Sequence, residues 1–194
     1  MQKANLKIID WLLSESRSIA INATIAPKVY PDFDSFRQVL FRESESWPVP
    51  VDRAVVGGFV ADCTAFAFAS GYCSALQRLV PALGENAITC FCITEEGGGH
   101  PRAIKSQLVP SANDMDKGKT FTLNGKKKYV TCAKEADRFL VAASGGIRDD
   151  GTNSIRMLTI DSKAPGVRIV PIENIYLVPE ISHLELIFTD VHIF

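Results

Sequence analysis

The sequence is poor in one-sided charge, in long apolar runs and in the short signatures that most often mark chemistry. Lysine and arginine number 21 against 22 aspartates and glutamates, a net charge of −1. No bulk field exists to hold nucleic acid or an anionic membrane, so a polyanion would need a local basic site, and no nucleic-acid partner is expected. The opening stretch MQKANLKIIDWLLSES is broken by Asp10 before its apolar run reaches the length of a signal peptide or membrane span. Internal repeats, low-complexity tracts and true linkers are missing. So are a P-loop, a dinucleotide fingerprint, and a G-x-S-x-G elbow or matched acid to accompany His100, His183 or His192.

Cysteines are few and unpaired in pattern. The five (Cys63, Cys73, Cys90, Cys92 and Cys132) make an odd count in apolar surroundings, which suits reduced thiols and a cytoplasmic protein. Cys90 and Cys92 resemble half a metal site. At i and i+2 on a strand they share one face, however, no second pair follows, and His100 does not complete a set of four ligands. No metal site is expected.

What the sequence does hold is enough apolar material, 46% of 194 residues, for one large domain or two small ones. Its texture changes midway, which predicts an α+β protein: a short N-terminal helical domain over residues 1–86, then an antiparallel β-barrel or sandwich domain over 87–194. Leu6, Ile9 and Leu13 recur at helical spacing in a first helix running towards Pro27. A second is predicted over Phe33–Glu45, ending before WPVP. A third begins with Asp52 as N-cap and runs to Leu79, apolar around most of its circumference and so packed on several sides. From Ala87 the runs are short and bounded by Gly, Asn, Asp and Pro. They read as strands at Ala87–Thr94, Gln107–Val109, Lys119–Leu123, Lys126–Thr131, Arg138–Ala143, Ile155–Asp161, Val167–Pro171 and Leu184–Phe188.

Three local features bear on function, each with a plain alternative. In KTFTLNGKKKYVT, Asn124-Gly125 predicts a tight hairpin turn, the glycine supplying positive φ. A period of two then puts Lys127, Tyr129 and Thr131 on one face of the following strand. Ring and hydroxyl side by side suit a planar ligand, or simply good strand propensity. Lys126–Lys128 reads as the solvated side of that hairpin. In FCITEEGGGHPRA, three glycines could turn backbone N–H groups towards a phosphate, or form an ordinary connecting loop; Glu95 and Glu96 would repel a phosphate placed close to them.

Taken together and in order, CFCITEEGGGHPRAIKSQL, FTLNGKKKYVTCAKEADRFLVAAS, APGVRIVPI and HLELIFTDVHIF, preceded by a helical segment, resemble the acyl-CoA dehydrogenase family over about residues 50 to 194. There the first motif usually reads TEPGAGSD, the second LNGxKxWITNAxxADxxLV, and the last is an F-x-x-V-x-V-P strand closing the middle β domain. The resemblance implies a helical domain, a central β barrel and a C-terminal four-helix bundle with FAD at their junction, acting in fatty-acid metabolism by α,β-desaturation of an acyl-CoA thioester. Position by position, it puts Phe91, Cys92, Ile93 and Thr94 beside the isoalloxazine, Gly99 and His100 along the FAD pyrophosphate and the acyl-CoA, Tyr129 where a tryptophan packs on the flavin, and Thr131 near flavin N5. His100 replaces the motif's serine, Pro101 its aspartate, Glu96 its proline and Cys132 its asparagine, and ENIYLVPEIS lacks the K-M-G-x-R element.

The resemblance further implies that the bundle carrying the glutamate base lies outside these residues. The expectation is half of a flavoenzyme that depends on a helical partner chain, or a non-catalytic binding or assembly module on the same scaffold. No catalytic residue is assigned within the chain. Electron-transfer flavoprotein is the family's expected electron acceptor. An apolar third helix without its usual cover predicts a homo-oligomer.

Overall fold

A computed structural model of the chain describes residues 7–21, 29–84, 86–111, 120–173 and 178–193. It divides into two compact units, Met1–Ala82 with Val178–Ile181, and Leu83–Leu177 with Ser182–Phe194. The first is helical: α1 (Ile8–Ile21), α2 (Phe33–Ser44), α3 (Pro50–Val60) and α4 (Thr64–Leu79). The approach of α1 to Pro27, like the expected strand start at Lys119, lies outside the described residues.

Local chemistry explains where these helices start and stop. Asp32 caps α2 by accepting from Ser35 N at 2.8 Å, a bond that also lowers the Asp32 carboxyl below its ordinary range. Pro50 stands at the start of α3, where its missing N–H is no loss. The continuous third helix expected from Asp52 to Leu79 is instead α3 and α4, parted at Ala61–Cys63, and Asp52 lies in the first turn behind the N-cap Val49. The break has a physical cause. Gly57 and Gly58 weaken the last turns of α3, and Asp62 is turned aside to accept from Tyr30 N at 2.6 Å. The chain then folds back, and a β-carbon on Gly57 would lie 1.6 Å from Ser70 Oγ, so only glycine allows this crossing. Trp11 meets Trp47 and Phe59 edge-on at 5.7 and 5.3 Å, while Phe36 stacks on Phe66 at 5.0 Å. On α4, Phe68 and Leu79 face outward, 51% and 75% exposed.

The second unit is a seven-stranded sheet of β1 (Thr89–Cys92), β2 (Gln107–Pro110), β3 (Phe121–Thr131), β4 (Arg138–Ile147), β5 (Asn153–Asp161), β6 (Val167–Pro171) and β7 (His183–Ile193). The order is β1-β4-β2-β3-β7-β6, with β5 on the other edge of β4. Pairing is antiparallel except that β1 and β2 both run parallel to β4, β1 along Arg138–Val141 and β2 at Ser144. Leu123, Val130, Phe139, Val141, Leu186 and Val191 fill its core.

The predicted Asn124-Gly125 hairpin does not form. β3 runs unbroken through it, because both residues are used differently. Gly125 faces β2 so closely that a β-carbon would sit 2.3 Å from Ser106 Oγ. Asn124 reaches across to β7, where its Nδ2 donates to Asp190 Oδ1 at 3.0 Å and its Oδ1 accepts from Asp190 N at 2.9 Å. Here two residues of β7 oppose one of β3, and Asp190 takes φ +50 in that bulge.

Candidate functional site

β1 and β2 lie end to end in the gap between β4 and β3, and the glycine-rich stretch is the excursion between them. Its root is closed by one carboxylate. Glu95, 8% exposed, accepts from Lys105 N at 2.7 Å, Ser106 N at 3.0 Å, Ser106 Oγ at 2.8 Å and Lys127 Nζ at 2.6 Å. Burial would raise this carboxyl, but the bonds from Lys127, the two backbone N–H groups and Ser106 Oγ more than reverse it and hold it below its ordinary range. Burial likewise lowers the Lys127 ammonium, and Glu95 only partly restores it. At the other end of the loop, Asn153 Nδ2 donates to Pro101 O and Ile104 O at 3.0 and 3.1 Å.

The loop itself is a tight turn followed by a capped one. Glu95 and Gly98 exchange backbone bonds of 3.1 and 2.9 Å around Glu96-Gly97, with Gly98 at φ +98, a conformation that demands glycine. His100 then caps the short 3₁₀ turn Pro101–Ala103, its Nδ1 accepting from Arg102 N at 3.2 Å, which leaves the Nε2–H as a donor. Glu96 pairs with Lys128, which lowers the Glu96 carboxyl and raises the Lys128 ammonium. The repulsion expected of two glutamates beside a phosphate is thus cancelled by two lysines. Lys127 is not a solvated hairpin lysine either: its side chain is fully buried.

Where β3 passes this loop its alternation breaks. Between the pairs Lys127–Leu186 and Val130–Leu184, two residues of β3 oppose one of β7, and the extra residue is taken up with Tyr129 at φ +57. Lys127 and Val130 therefore both point inward. Tyr129 is 57% exposed and does not share the face of Lys127, as strict alternation predicts. A bulky residue in the left-handed region is strained, and such strain collects at functional sites. Lys128 N donates to Thr94 O at 2.8 Å, which sets Tyr129 next to the end of β1.

Several sequence-predicted residues meet here. Phe91 faces outward, 37% exposed, between the fully buried Cys90 and Cys92. Ile93 and Thr94 are half-buried, and a β-carbon on Gly99 would lie 3.7 Å from both Ile93 Cγ2 and Thr94 Oγ1, so Gly99 rests on them. Thr131 lies two residues beyond Tyr129, its Oγ1 3.2 Å from His183 Nδ1. His100 lies on the exposed crest of the loop. Cys92 offers no nucleophile, since burial pushes its thiol far up despite the nearby Lys127. Among the described residues no cluster of His, Cys, Asp and Glu could hold a metal, and no helix is long and apolar enough to cross a membrane.

Sequence reasoning missed Glu95, Lys127, Ser106, Asn153 and His183. One signal was present: with Leu123 and Gly125 inward, a period of two already turns Lys127 inward, where only a buried acid could accompany it.

An exposed strained ring, a hydroxyl under a glycine and a loop with neutralised carboxylates fit a planar ligand bearing a phosphate tail. Two other hollows, of about 630 and 410 Å³, open where β2 and β4 part beyond Gln107 and Ser144. Neither is lined by Thr94, Tyr129 or Thr131, so volume does not single out this surface; its chemistry does.

Known proteins agree on the scaffold. Residues 90–191 match the family model described as acyl-CoA dehydrogenase, middle domain. A probable short/branched chain specific acyl-CoA dehydrogenase of Dictyostelium discoideum is 32% identical over 94 residues, 48% of this chain and 21% of that protein. An acyl-CoA dehydrogenase from Bacillus anthracis, solved in complex with FAD, superposes with TM-score 0.67 at 18% identity over 100% of this chain and 37% of its own. Butyryl-CoA dehydrogenase from Megasphaera elsdenii gives 0.69 at 19% identity over 100% and 58%. The chain thus spans less than two thirds of each.

Proposed function

Because this chain belongs to the acyl-CoA dehydrogenase family, with residues 90–191 as its middle domain, we propose that it seats the flavin of an FAD-dependent dehydrogenase that desaturates an acyl-CoA thioester. When bound, FAD supplies the electron-pair acceptor. This chain supplies its seat.

Phe91 and Ile93 make an apolar floor, and Tyr129 covers one face of the ring. The hydroxyls of Thr94 and Thr131 bond its polar edge. Gly99, without a side chain, lets the pyrophosphate approach the backbone, and His100 Nε2–H stands in for the family's serine hydroxyl as a donor to it. The ion pairs of Glu95 and Glu96 remove the charge that would repel it.

Neither glutamate is free to act as base: Glu95 is held by Lys127 and the loop backbone, and Glu96 by Lys128. A thioester α-proton leaves only when a base is aimed at it, so we assign that base to residues outside 90–191, on a helical partner segment. Electron-transfer flavoprotein is the acceptor that fits the family. Phe68 and Leu79, exposed on α4, provide apolar surface for self-association.

One observation carries this reading. Lys128 N bonds Thr94 O at 2.8 Å and thereby sets a strained, exposed tyrosine beside a threonine lying under Gly99. Protein purified after expression with flavin available is expected to show a two-banded visible spectrum, weakened in Tyr129→Ala. Colourless protein that takes up no added FAD at micromolar concentration contradicts the proposal.

A further inference from the structure

Thr131 and His183 face each other directly in the β3–β7 ladder, Oγ1 to Nδ1 at 3.2 Å. The imidazole is fixed there by its chain neighbours. Cys132 N donates to Ser182 O at 2.7 Å, and Ser182 Oγ accepts from Lys134 N at 2.9 Å while donating to Glu135 Oε2 at 2.5 Å. The ring and the hydroxyl therefore keep their register.

The other ring nitrogen decides the direction of the bond between them. His183 Nε2 is buried and has no hydrogen-bond partner among the described residues. A neutral imidazole carries one N–H. On Nε2 that hydrogen would be a buried donor without an acceptor, and Nδ1 would take the Thr131 proton. On Nδ1 it is donated to Thr131 Oγ1, and only an acceptor is left over at Nε2. Buried orphan N–H groups are the rarer of the two defects. The Nδ1–H tautomer follows. Thr131 Oγ1 is then already accepting, and among the described residues its own hydrogen has no other partner.

We propose that His183 is a positioning residue that makes Thr131 an outward-facing hydrogen-bond donor and so biases the site towards a ligand with a lone pair at that point. This rests on the reading of Thr131 as part of the flavin seat. The oxidised flavin ring has a lone pair on its central nitrogen N5 that takes the Thr131 hydrogen, whereas the reduced ring carries a hydrogen there, which Thr131 Oγ1 meets only through its second lone pair with its own hydrogen turned away from the ligand. The chain is expected to bind oxidised FAD more tightly than reduced FAD, by a margin of about fivefold that one neutral hydrogen bond supplies.

Two measurements test this. In the ligand-free protein, long-range 1H–15N correlation of the His183 ring is expected to give the Nδ1–H tautomer; an Nε2–H tautomer overturns the proposal whether or not flavin binds. Anaerobic titration with oxidised and with reduced FAD then compares wild type, Thr131→Val, His183→Leu and His183→Asn. The asparagine amide reaches the place of Nδ1 and keeps a donor to Thr131, so His183→Asn retains the preference, while Thr131→Val and His183→Leu lose it. An unchanged preference in all variants overturns the inference. Binding of neither form by wild type instead refutes the flavin seat itself, and the tautomer still decides the orientation of Thr131.

Discussion

Lys127 Nζ donates to Glu95 Oε1 at 2.6 Å, a buried ion pair that ties the inner face of β3 to the root of the glycine loop. Removing one member of such a pair strands the other's charge, at about 3–5 kcal/mol, whereas removing both charges together is far milder. Lys127→Met is therefore expected to lower unfolding free energy in urea by about that amount, and the double variant Lys127→Met/Glu95→Gln to recover part of it. A double variant whose loss equals the sum of the losses of Lys127→Met and Glu95→Gln taken singly would show that the two side chains are not coupled.

The same pair makes the loop sensitive to acid. Glu95 is held below its ordinary range in the folded chain, so its contribution is complete above the unfolded carboxylate value of about 4.3 and is lost as pH falls through the lower folded value. Between roughly pH 5 and pH 3, wild type is expected to lose more stability than Glu95→Gln, which has no carboxyl to protonate. Parallel stability–pH curves for the two proteins would contradict this.

Tyr129 holds a left-handed conformation, which costs a non-glycine residue about 1–2 kcal/mol, while burying little of its ring. Tyr129→Gly is expected to raise the urea midpoint, the relief of strain outweighing glycine's extra chain entropy, and at the same time to weaken FAD binding. A variant that is both less stable and unchanged in binding would remove Tyr129 from the account.

The division into helices and short strands was legible because periodicity depends on neighbours in sequence. α2 begins at Phe33 and β6 spans Val167–Pro171, as the patterns indicate. What pattern reading mistook were residues answering to distant partners. Gly125 looked like a turn glycine and is instead the place where Ser106 crosses β3. Tyr129 looked like the next step of an alternation that a bulge had already reset. Asp62 falls inside the helix expected from Asp52 to Leu79, yet it accepts from Tyr30 N where α3 and α4 part. The glycine loop was visible as a motif, yet what closes its root is Glu95, bonded to Lys105 N, Ser106 and Lys127. Cys132, standing where the family has asparagine, adopts φ +60, the conformation asparagine tolerates best among residues with side chains.

The central claim is that the end of β1, the glycine loop and the Tyr129 bulge form one flavin seat. Backbone amide chemical shifts followed during titration with FAD test it most directly. The account predicts perturbations concentrated at Ile93, Thr94, Gly98, Gly99, Tyr129 and Thr131. Perturbations confined to the hollow between β2 and β4, around Gln107, Gly145 and Gly146, or no perturbation at saturating FAD, would contradict it.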